Sequence, residues 1–253
     1  MCLILLAVSA HPDYPLVIAA NRDEFYARPT APASQWKDGS GIFGGRDLEQ
    51  GGTWLGVTRS GRWAAISNFR GSGHTLDAPS RGFLVTDYLR SSQPPDRYLE
   101  RLTPTLASYN GFSLLAGNAG AVCFVSNRGD GVHIVAPGVH GLSNDLLDTP
   151  WPKVERGKLA LESVLSADAL EPERLLELLR DDRPAADDTL PDTGIGLERE
   201  RALSPLFVRG PSYGTRCSAA FIVDKQGNAN FAERSFDKAG ESGQTIQLAF
   251  PVG

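Results

Sequence analysis

Residues 1–25 read MCLILLAVSAHPDYPLVIAANRDEF and contain the pattern that decides the fold. Two apolar, β-prone runs at residues 3–8 and 16–20 flank a segment with two prolines at residues 11–15. This arrangement predicts an antiparallel hairpin whose loop is the proline-containing segment of five residues. Residues that oppose each other in such a hairpin have numbers that sum to about 25. Cys2 is therefore expected across from the polar end of the second strand.

Cys2 is a candidate nucleophile. Removal of Met1 would leave a thiol and a free α-amine on the same residue. A thiolate attacks carbonyl carbons well, and an α-amine with a pKa near ~8 can accept the thiol proton. The alternative interpretation is that Cys2 is a packing residue at the start of a strand, because free cysteine is among the most buried residue types.

The polar end of the second strand is Asn21-Arg22-Asp23-Glu24. An arginine held near a thiol favours the thiolate, and a carboxylate can hold the α-ammonium group. Side chains alternate between the two faces of a strand, so either Asn21 and Asp23 or Arg22 and Glu24 face Cys2, unless a bulge intervenes. A solvated strand end with an internal ion pair is the alternative to a functional cluster.

Three further polar residues lie at the ends of predicted strands. Asn68 and Asn144 each follow an apolar run, and asparagine NH₂ groups are suitable donors for a tetrahedral oxyanion. Both asparagines could instead begin turns. Arg216 precedes an apolar strand, where it could clamp a carboxylate or orient the surroundings of the nucleophile, or simply be a surface residue.

The remaining chain alternates between strand and helix patterns. Strands are predicted at residues 53–58, 62–68, 112–116, 121–126, 132–136, 217–224, 228–235 and 245–250, and helices at residues 80–90, 98–106, 151–165 and 170–179. Residues 181–201 are acidic and weakly apolar, and we expect a surface or mobile loop there. Strands that come early and late with helices between them predict an α+β fold of mostly antiparallel sheets, in one domain spanning residues 1–253.

Composition restricts the function classes. The 253 residues carry a net charge of −5 without a basic patch, so nucleic acid is not expected as a partner. The three cysteines form no CxxC pair, which argues against a disulfide framework or a structural zinc site and for a reducing compartment. No apolar stretch approaches the ~20 residues that cross a bilayer, and no basic residue precedes the first apolar run. We therefore expect a cytoplasmic protein without stable membrane insertion.

Neither the histidines nor the glycine-rich stretches match a cofactor motif. None of the four histidines has metal-ligand spacing, so no metal site is predicted. Residues 43–47 and 51–54 lack the arrangement of a phosphate-binding loop, and we interpret them as turns or close-approach positions.

Five short motifs occur in an order that resembles a known family. They are Met1-Cys2, Asn21-Arg22-Asp23-Glu24, residues 51–56 (GGTWLG), residues 80–82 (SRG) and residues 213–216 (YGTR). The chain resembles the NRDE family, which is the family of the transport and Golgi organisation protein 2, over nearly its whole length.

A more distant resemblance implies a mechanism. The order of the polar residues is similar to that in cysteine N-terminal nucleophile hydrolases of the penicillin V acylase and bile salt hydrolase type. That resemblance implies a four-layer αββα fold and a catalytic set of Cys2, Arg22, Asp23, Asn68, Asn144 and Arg216. The acylases have Arg-x-x-Asp at the second strand, whereas this chain has Asn21 and Glu24 at that spacing.

Two functions follow from these resemblances. The first is an amidase or acyltransferase that acts on a small C–N amide without a required cofactor. The NRDE resemblance also implies an alternative, a non-enzymatic carrier of haem or of a lipid-like or acyl-CoA ligand. A haem carrier often has an axial ligand, for which His74, His133, His140 or a cysteine are candidates.

Overall fold

The computed structural model describes residues 2–71, 75–118, 120–167 and 169–252, with the backbone alone for Cys2. Thirteen strands form two sheets in this part of the chain. The first sheet contains, in order across it, β10 (Gly138–Leu142), β1 (Cys2–Val8), β2 (Leu16–Phe25), β11 (Tyr213–Val223), β12 (Asn228–Phe236) and β13 (Ser242–Pro251). The second contains β3 (Thr30–Gln35), β4 (Ile42–Asp47), β5 (Leu55–Thr58), β6 (Trp63–Asn68), β7 (Phe112–Gly117), β8 (Val122–Ser126) and β9 (Gly131–Ile134).

Helices cover the outer face of each sheet. They are α1 (Gly82–Arg90), α2 (Pro95–Leu102), α3 (Pro152–Leu165), α4 (Pro172–Leu178) and α5 (Leu197–Ala202), with short 3₁₀ turns at Thr103–Ser108 and Asp187–Thr189. The helices α1 and α2 pack on the second sheet, and α3 and α4 pack on the first. The neighbouring strands pair antiparallel in both sheets. The predicted α+β, four-layer αββα architecture is therefore confirmed.

The apolar run of β1 explains why the sheets stack. Leu3 and Leu5 belong to the core between the first sheet and its helices, whereas Ile4 and Leu6 belong to the core between the two sheets. A strand that is buried on both faces needs apolar residues at odd and even positions alike. This requirement accounts for the unbroken hydrophobic run near the start of the chain.

The predicted β1–β2 hairpin is confirmed. Cys2 pairs with Arg22 and Val8 pairs with Leu16, so opposed numbers sum to 24. The loop is longer than predicted and spans residues 9–15, because β1 ends at Val8 and Ser9 has a left-handed φ of 47° that does not continue a strand. Ser9 closes it, with its N–H donating to the Pro15 carbonyl at 2.8 Å.

Several elements differ from the sequence predictions. Strands β3 and β4 were not predicted, because they are short and contain proline, glycine or polar residues. Strand β10 was expected only as the short apolar run before Asn144, and it begins earlier, at Gly138. The helix expected at residues 98–106 begins earlier, at Pro95, whose fixed φ suits a first helical position. Residues 43–47 form most of β4 rather than a turn.

The prediction of a surface or mobile loop at residues 181–201 is wrong in one respect. The segment contains a 3₁₀ turn and most of α5, and Glu200 in it is only 2% exposed. The Glu200 carboxylate binds Arg70, which follows β6 in the second sheet. A charge pair with a distant residue therefore anchors the segment.

Within the described residues, the helices are all too short or too polar to span a lipid bilayer.

Candidate active site

Arg22 occupies the position across from Cys2. Its Cα partner on β1 is Cys2, and its partner on β11 is Cys217, just after a bulge at residues 215–217. Directly opposed residues of a pair share a face of the sheet. The register therefore selects Arg22 and Glu24, rather than Asn21 and Asp23, for the Cys2 position.

Asn21 lies on the helix-covered face, where it has a structural role. Its side-chain NH₂ donates to the carbonyls of Leu179 at 3.0 Å and Leu206 at 2.7 Å. The Ser218 hydroxyl donates to its side-chain oxygen. Asn21 thus ties β2 to the chain that follows α4 and to the chain that precedes β11.

The Arg22 guanidinium is buried and held by three groups. Its Nη1 donates to the Thr30 hydroxyl at 2.9 Å, and its Nη2 lies 3.7 Å from the Asp47 carboxylate. Its Cζ is 4.1 Å from the centre of the Trp54 ring, which is cation–π geometry. Side-chain exposure is only 4%, so the positive charge is fixed in place and weakly screened.

Asp47 supplies the opposite charge. Burial raises the pKa of its carboxyl, but hydrogen bonds from Arg28 and from the backbone N–H groups of Gln50 and Glu49 lower the pKa below its ordinary value overall. The Arg28 Nε donates to Asp47 at 2.7 Å. Asp47 is therefore ionised at neutral pH and is shared between Arg28 and Arg22.

A cleft of about 280 Å³ opens beside this cluster. Charged and polar residues that line it include Arg22, Asp23, Glu24, Arg28, Asp47, Asn68, Ser80 and Arg81. Trp54 and Ile66 add apolar wall. A volume of this size is at the low end for ligand pockets, so the cleft suits a small polar molecule.

Asp23 lies on the opposite face of β2 from Arg22 but still reaches the cleft. Its Oδ1 accepts a hydrogen bond from the Thr215 hydroxyl at 2.7 Å. Burial raises the pKa of its carboxyl, and the nearby charge of Lys153 and the Thr215 hydrogen bond act against that rise. Asp23 is therefore a buried acid in an environment that favours its protonated form.

Asn68 and Asn144 are brought together at the ends of β6 and β10. The Asn144 NH₂ donates to the Asn68 carbonyl at 2.7 Å, and the Asn144 N–H donates to the Ser67 hydroxyl at 2.9 Å. Asn144 has a φ of 60°, a left-handed conformation that asparagine tolerates better than most residues. The Asn68 residue lines the cleft, and Asn144 is buried behind it.

Arg216 binds the turn that follows β2. Its Nη1 donates to the carbonyls of Phe25 at 2.9 Å and Arg28 at 3.1 Å. Burial, followed by the like charge of Arg22, lowers the pKa of Arg216. Arg216 thus holds the backbone that presents Arg28 to Asp47.

Comparison with known proteins assigns the family. The model of the Transport and Golgi organisation 2 family matches residues 1–238. The chain belongs to this family. It is 38% identical to the Transport and Golgi organization protein 2 homolog of Bos taurus over 261 residues, with 93% of each chain covered.

Two solved structures are similar to this member of the Transport and Golgi organisation 2 family in fold. One is a variant of the conjugated bile acid hydrolase from Clostridium perfringens, with a TM-score of 0.52, 10% identity, and coverage of 98% of this chain and 92% of that chain. The other is the Caenorhabditis elegans ortholog of N-acylethanolamine-hydrolyzing acid amidase, with a TM-score of 0.51, 12% identity, and coverage of 87% and 92%. Both similarities establish an N-terminal nucleophile hydrolase-like fold for this family member.

Sequence reasoning did not identify Glu233 as a site residue. Glu233 lies in β12 in step with Ala229 and Phe231, which are both in the core between the sheets. It is 2% exposed, and its carboxylate accepts a hydrogen bond from the Ala33 N–H at 2.6 Å. The sequence did contain a signal for Glu233, because the residue falls in the alternation of Ala229 and Phe231, where an apolar side chain would be expected.

Among the described residues, no group of three or more His, Cys, Asp or Glu side chains is placed to hold a metal ion.

We expect Gly45→Ala to disrupt the Arg22 environment. A Cβ atom at this position would lie 2.3 Å from atoms of the Trp54 ring, so the ring must move off the Arg22 guanidinium. Such overpacking costs about 1–3 kcal/mol, measured as the free energy of unfolding in denaturant.

Gly243→Ala is the matched control for this substitution. Its nearest contact would be the Ser235 carbonyl at 3.4 Å, which is ordinary van der Waals distance. Equal stability of the two variants would contradict the tight packing of Trp54 on Gly45.

Proposed function

We propose that this protein cleaves or transfers an acyl group from a small C–N amide, with Cys2 as an N-terminal nucleophile. One observation carries the proposal. The register of β1 and β2 places Cys2 across from a buried, immobilised arginine beside a small polar cleft. A fixed positive charge favours the thiolate form of a neighbouring cysteine, and the thiolate is the nucleophilic form.

The reaction has two stages, acylation of Cys2 and deacylation of the thioester. The Cys2 sulfur forms a bond to the amide carbon while the thiol proton moves to the Cys2 α-amine. The resulting oxyanion receives a hydrogen bond from the Asn68 side-chain NH₂, and Asn144 fixes the backbone of Asn68 by donating to its carbonyl. The C–N bond then breaks, and the α-ammonium returns its proton to the leaving amine. Water or a second amine then attacks the thioester carbon while the α-amine takes its proton. The C–S bond breaks, the acid or a new amide leaves, and the α-ammonium returns the proton to the Cys2 sulfur.

The other site residues have supporting roles. Arg22 favours the thiolate, and Arg216 holds the turn that carries Arg28. Asp23 orients the α-amino group, because a buried carboxyl near a strand end can accept its hydrogen bond. None of these steps needs a cofactor.

The fold neighbours support the reaction class. They are named as a hydrolase of conjugated bile acids and as an N-acylethanolamine-hydrolysing amidase, and both names describe the cleavage of acyl conjugates. Their identity to this chain is 12% or less, so the substrate is argued from the cleft itself. Its size and charged lining favour small polar amides over long acyl chains.

Mass spectrometry of the purified protein tests this proposal. Met1 lies outside the described residues, and the mechanism requires its removal. We expect an intact mass without the initiator methionine. A short-chain acyl p-nitroanilide should add one acyl group, located on the peptide that begins with Cys2. Complete retention of Met1, or an acyl group on another residue, would show that the mechanism is wrong.

The carrier alternative stays a prediction. His140 uses both ring nitrogens, with Nδ1 2.7 Å from the Asp148 carboxylate and Nε2 2.9 Å from the Ala136 carbonyl. His133 is exposed and bonds to Asp130 at 3.0 Å. His74 lies outside the described residues. Axial ligation by His140 would break the hydrogen bond of whichever ring nitrogen binds the iron, and no contact of these side chains favours haem over the amidase proposal.

A further inference from the structure

A buried acid lies near Arg22 between the two sheets. Glu233 faces the space between the two sheets, where its carboxylate accepts the Ala33 N–H at 2.6 Å. Unpaired acids are rarely found in such a place, because removing a carboxylate from water costs several kcal/mol unless it is compensated. One backbone N–H and one thiol compensate only a small part of this desolvation cost. Packing alone therefore does not explain why an acid occupies this position.

The strand register connects Glu233 to Cys2. Arg22 is opposed by Cys2 on one side and by Cys217 on the other. The Cys217 side chain hydrogen-bonds to Glu233, and the charge of Arg22 acts on the same carboxyl. The row Cys2, Arg22 and Cys217 crosses β1, β2 and β11, and the Cys217 side chain connects that row to Glu233 on the next strand, β12.

Glu233 also shares its surroundings with the Arg22–Trp54 stack. A Cβ atom on Gly45 would lie 3.2 Å from the Glu233 Oε2 and 2.3 Å from the Trp54 ring. The absent side chain of Gly45 thus leaves room for both groups. The carboxyl and the indole ring pack against the same backbone position of β4.

The groups that face Glu233 set its proton affinity. Burial raises the pKa of its carboxyl to about 7, while the Ala33 N–H, the Cys217 side chain and the Arg22 charge act in the opposite direction. These contacts come from β3, β11 and β2, and β4 contributes Gly45 together with Asp47, which pairs with Arg22. The carboxyl therefore changes charge in the neutral pH range.

We propose that Glu233 is a positioning residue whose proton sets the net charge that Arg22 presents to Cys2. This inference rests on the proposed function of Cys2 as the nucleophile. When Glu233 is protonated, Asp47 is the carboxylate that opposes the Arg22 charge, and the electrostatic potential at the Cys2 position is positive. Ionised Glu233 adds a second negative charge on the other side of Arg22, which weakens that field and makes the thiolate less favoured.

The test measures the rate of Cys2 alkylation by iodoacetamide from about pH 5 to 9. Mass spectrometry of the Cys2 peptide identifies the reacting thiol in the full chain. We expect Glu233→Gln to lower the midpoint of the rate profile by roughly half to one pH unit, since one charge near Arg22 is removed. Glutamine can still accept the Ala33 N–H bond. The control is Glu241→Gln, an exposed residue, which should leave the midpoint unchanged.

The possible outcomes separate this inference from the proposed function. A reactive Cys2 with the same midpoint in Glu233→Gln overturns the role of Glu233 and leaves the nucleophile intact. A wild-type Cys2 that is unreactive at every pH overturns both.

The wild-type profile alone provides a second measurement in case Glu233→Gln does not fold. Three ionisations are expected, from the Glu233 carboxyl near pH 7, the Cys2 thiol and the Cys2 α-amine. A profile that fits without the ionisation near pH 7 overturns the inference.

Discussion

Cys2→Ser is expected to reduce amide turnover by on the order of 10⁴-fold or more, because loss of a nucleophile removes the covalent pathway. A serine hydroxyl has a far higher pKa than a thiol, so the α-amine and Arg22 cannot ionise it to a useful extent. The measurement is kcat/KM on a short-chain acyl p-nitroanilide, together with the loss of the acyl adduct in the intact mass.

Cys123→Ala is the matched control for that experiment. Cys123 is fully buried in the core between the second sheet and its helices. Burial, aided by the negative charges of Asp96 and Glu100, raises the pKa of its thiol to about 11, so it is protonated and unreactive at neutral pH. Its removal should leave turnover unchanged. Wild-type turnover by Cys2→Ser would contradict the assignment of the nucleophile.

Glu200→Ala is expected to destabilise the fold by about 3–5 kcal/mol, because it leaves the Arg70 charge buried without its partner. Arg70 is 4% exposed, and Glu200 is its carboxylate partner. Among the described residues, Nε and Nη2 of Arg70 have no hydrogen-bond partner, so few other contacts compensate its charge. Its Cζ lies 4.6 Å from the Trp151 ring centre. Thermal and denaturant unfolding would measure the loss, with a fall in Tm of roughly 10 °C.

Two control variants show whether the loss of stability in Glu200→Ala comes from the buried charge of Arg70. Asp187→Ala removes an exposed ion pair with Arg201 on the same segment, and we expect no measurable change in the unfolding midpoint. The double variant Arg70→Met with Glu200→Leu removes both charges, and it should recover most of the stability lost by Glu200→Ala. A small effect of Glu200→Ala would indicate that water reaches Arg70 and that the segment is not anchored by this pair.

The Glu200 substitution also concerns the candidate site. Arg70 follows Asn68 by two residues, and its backbone N–H donates to the Asn144 carbonyl at 2.7 Å. Thr193 donates to the same Glu200 carboxylate from its backbone N–H at 3.0 Å. The segment at residues 187–202 is therefore connected to the two asparagines, and its release should lower turnover as well as stability.

Much of the first sheet could be predicted because its signals are local. The β1–β2 hairpin depends on two adjacent apolar runs and an intervening proline segment, so its register was correct to within one residue. Helix α3 was predicted to begin near Pro152 for the same reason, since a proline in the first turn of an amphipathic pattern is a local signal. Strand β3 was missed, because its sequence TAPASQ has neither strong alternation nor a β-prone composition.

The candidate site was predicted in part. The sequence indicated that Cys2 would meet residues 21–24, but alternation alone allowed either face of β2 to be the relevant one. Pairing with β1 and β11 selects Arg22. The environment of Arg22 could not be predicted, since Thr30, Asp47 and Trp54 come from three separate segments of the second sheet and its connections.

Sequence by itself determined the hairpin that brings a polar segment to Cys2 and the layered fold that its doubly buried strands require. These features follow from hydrophobic patterns within about ten residues, which act before distant parts of the chain meet. Tertiary structure alone decided which charges are buried. Glu200 is paired with a residue 130 positions away, and Glu233 accepts its hydrogen bond from one 200 positions away. Burial of a charge depends on the whole set of neighbours that packing assembles, so no local pattern specifies it.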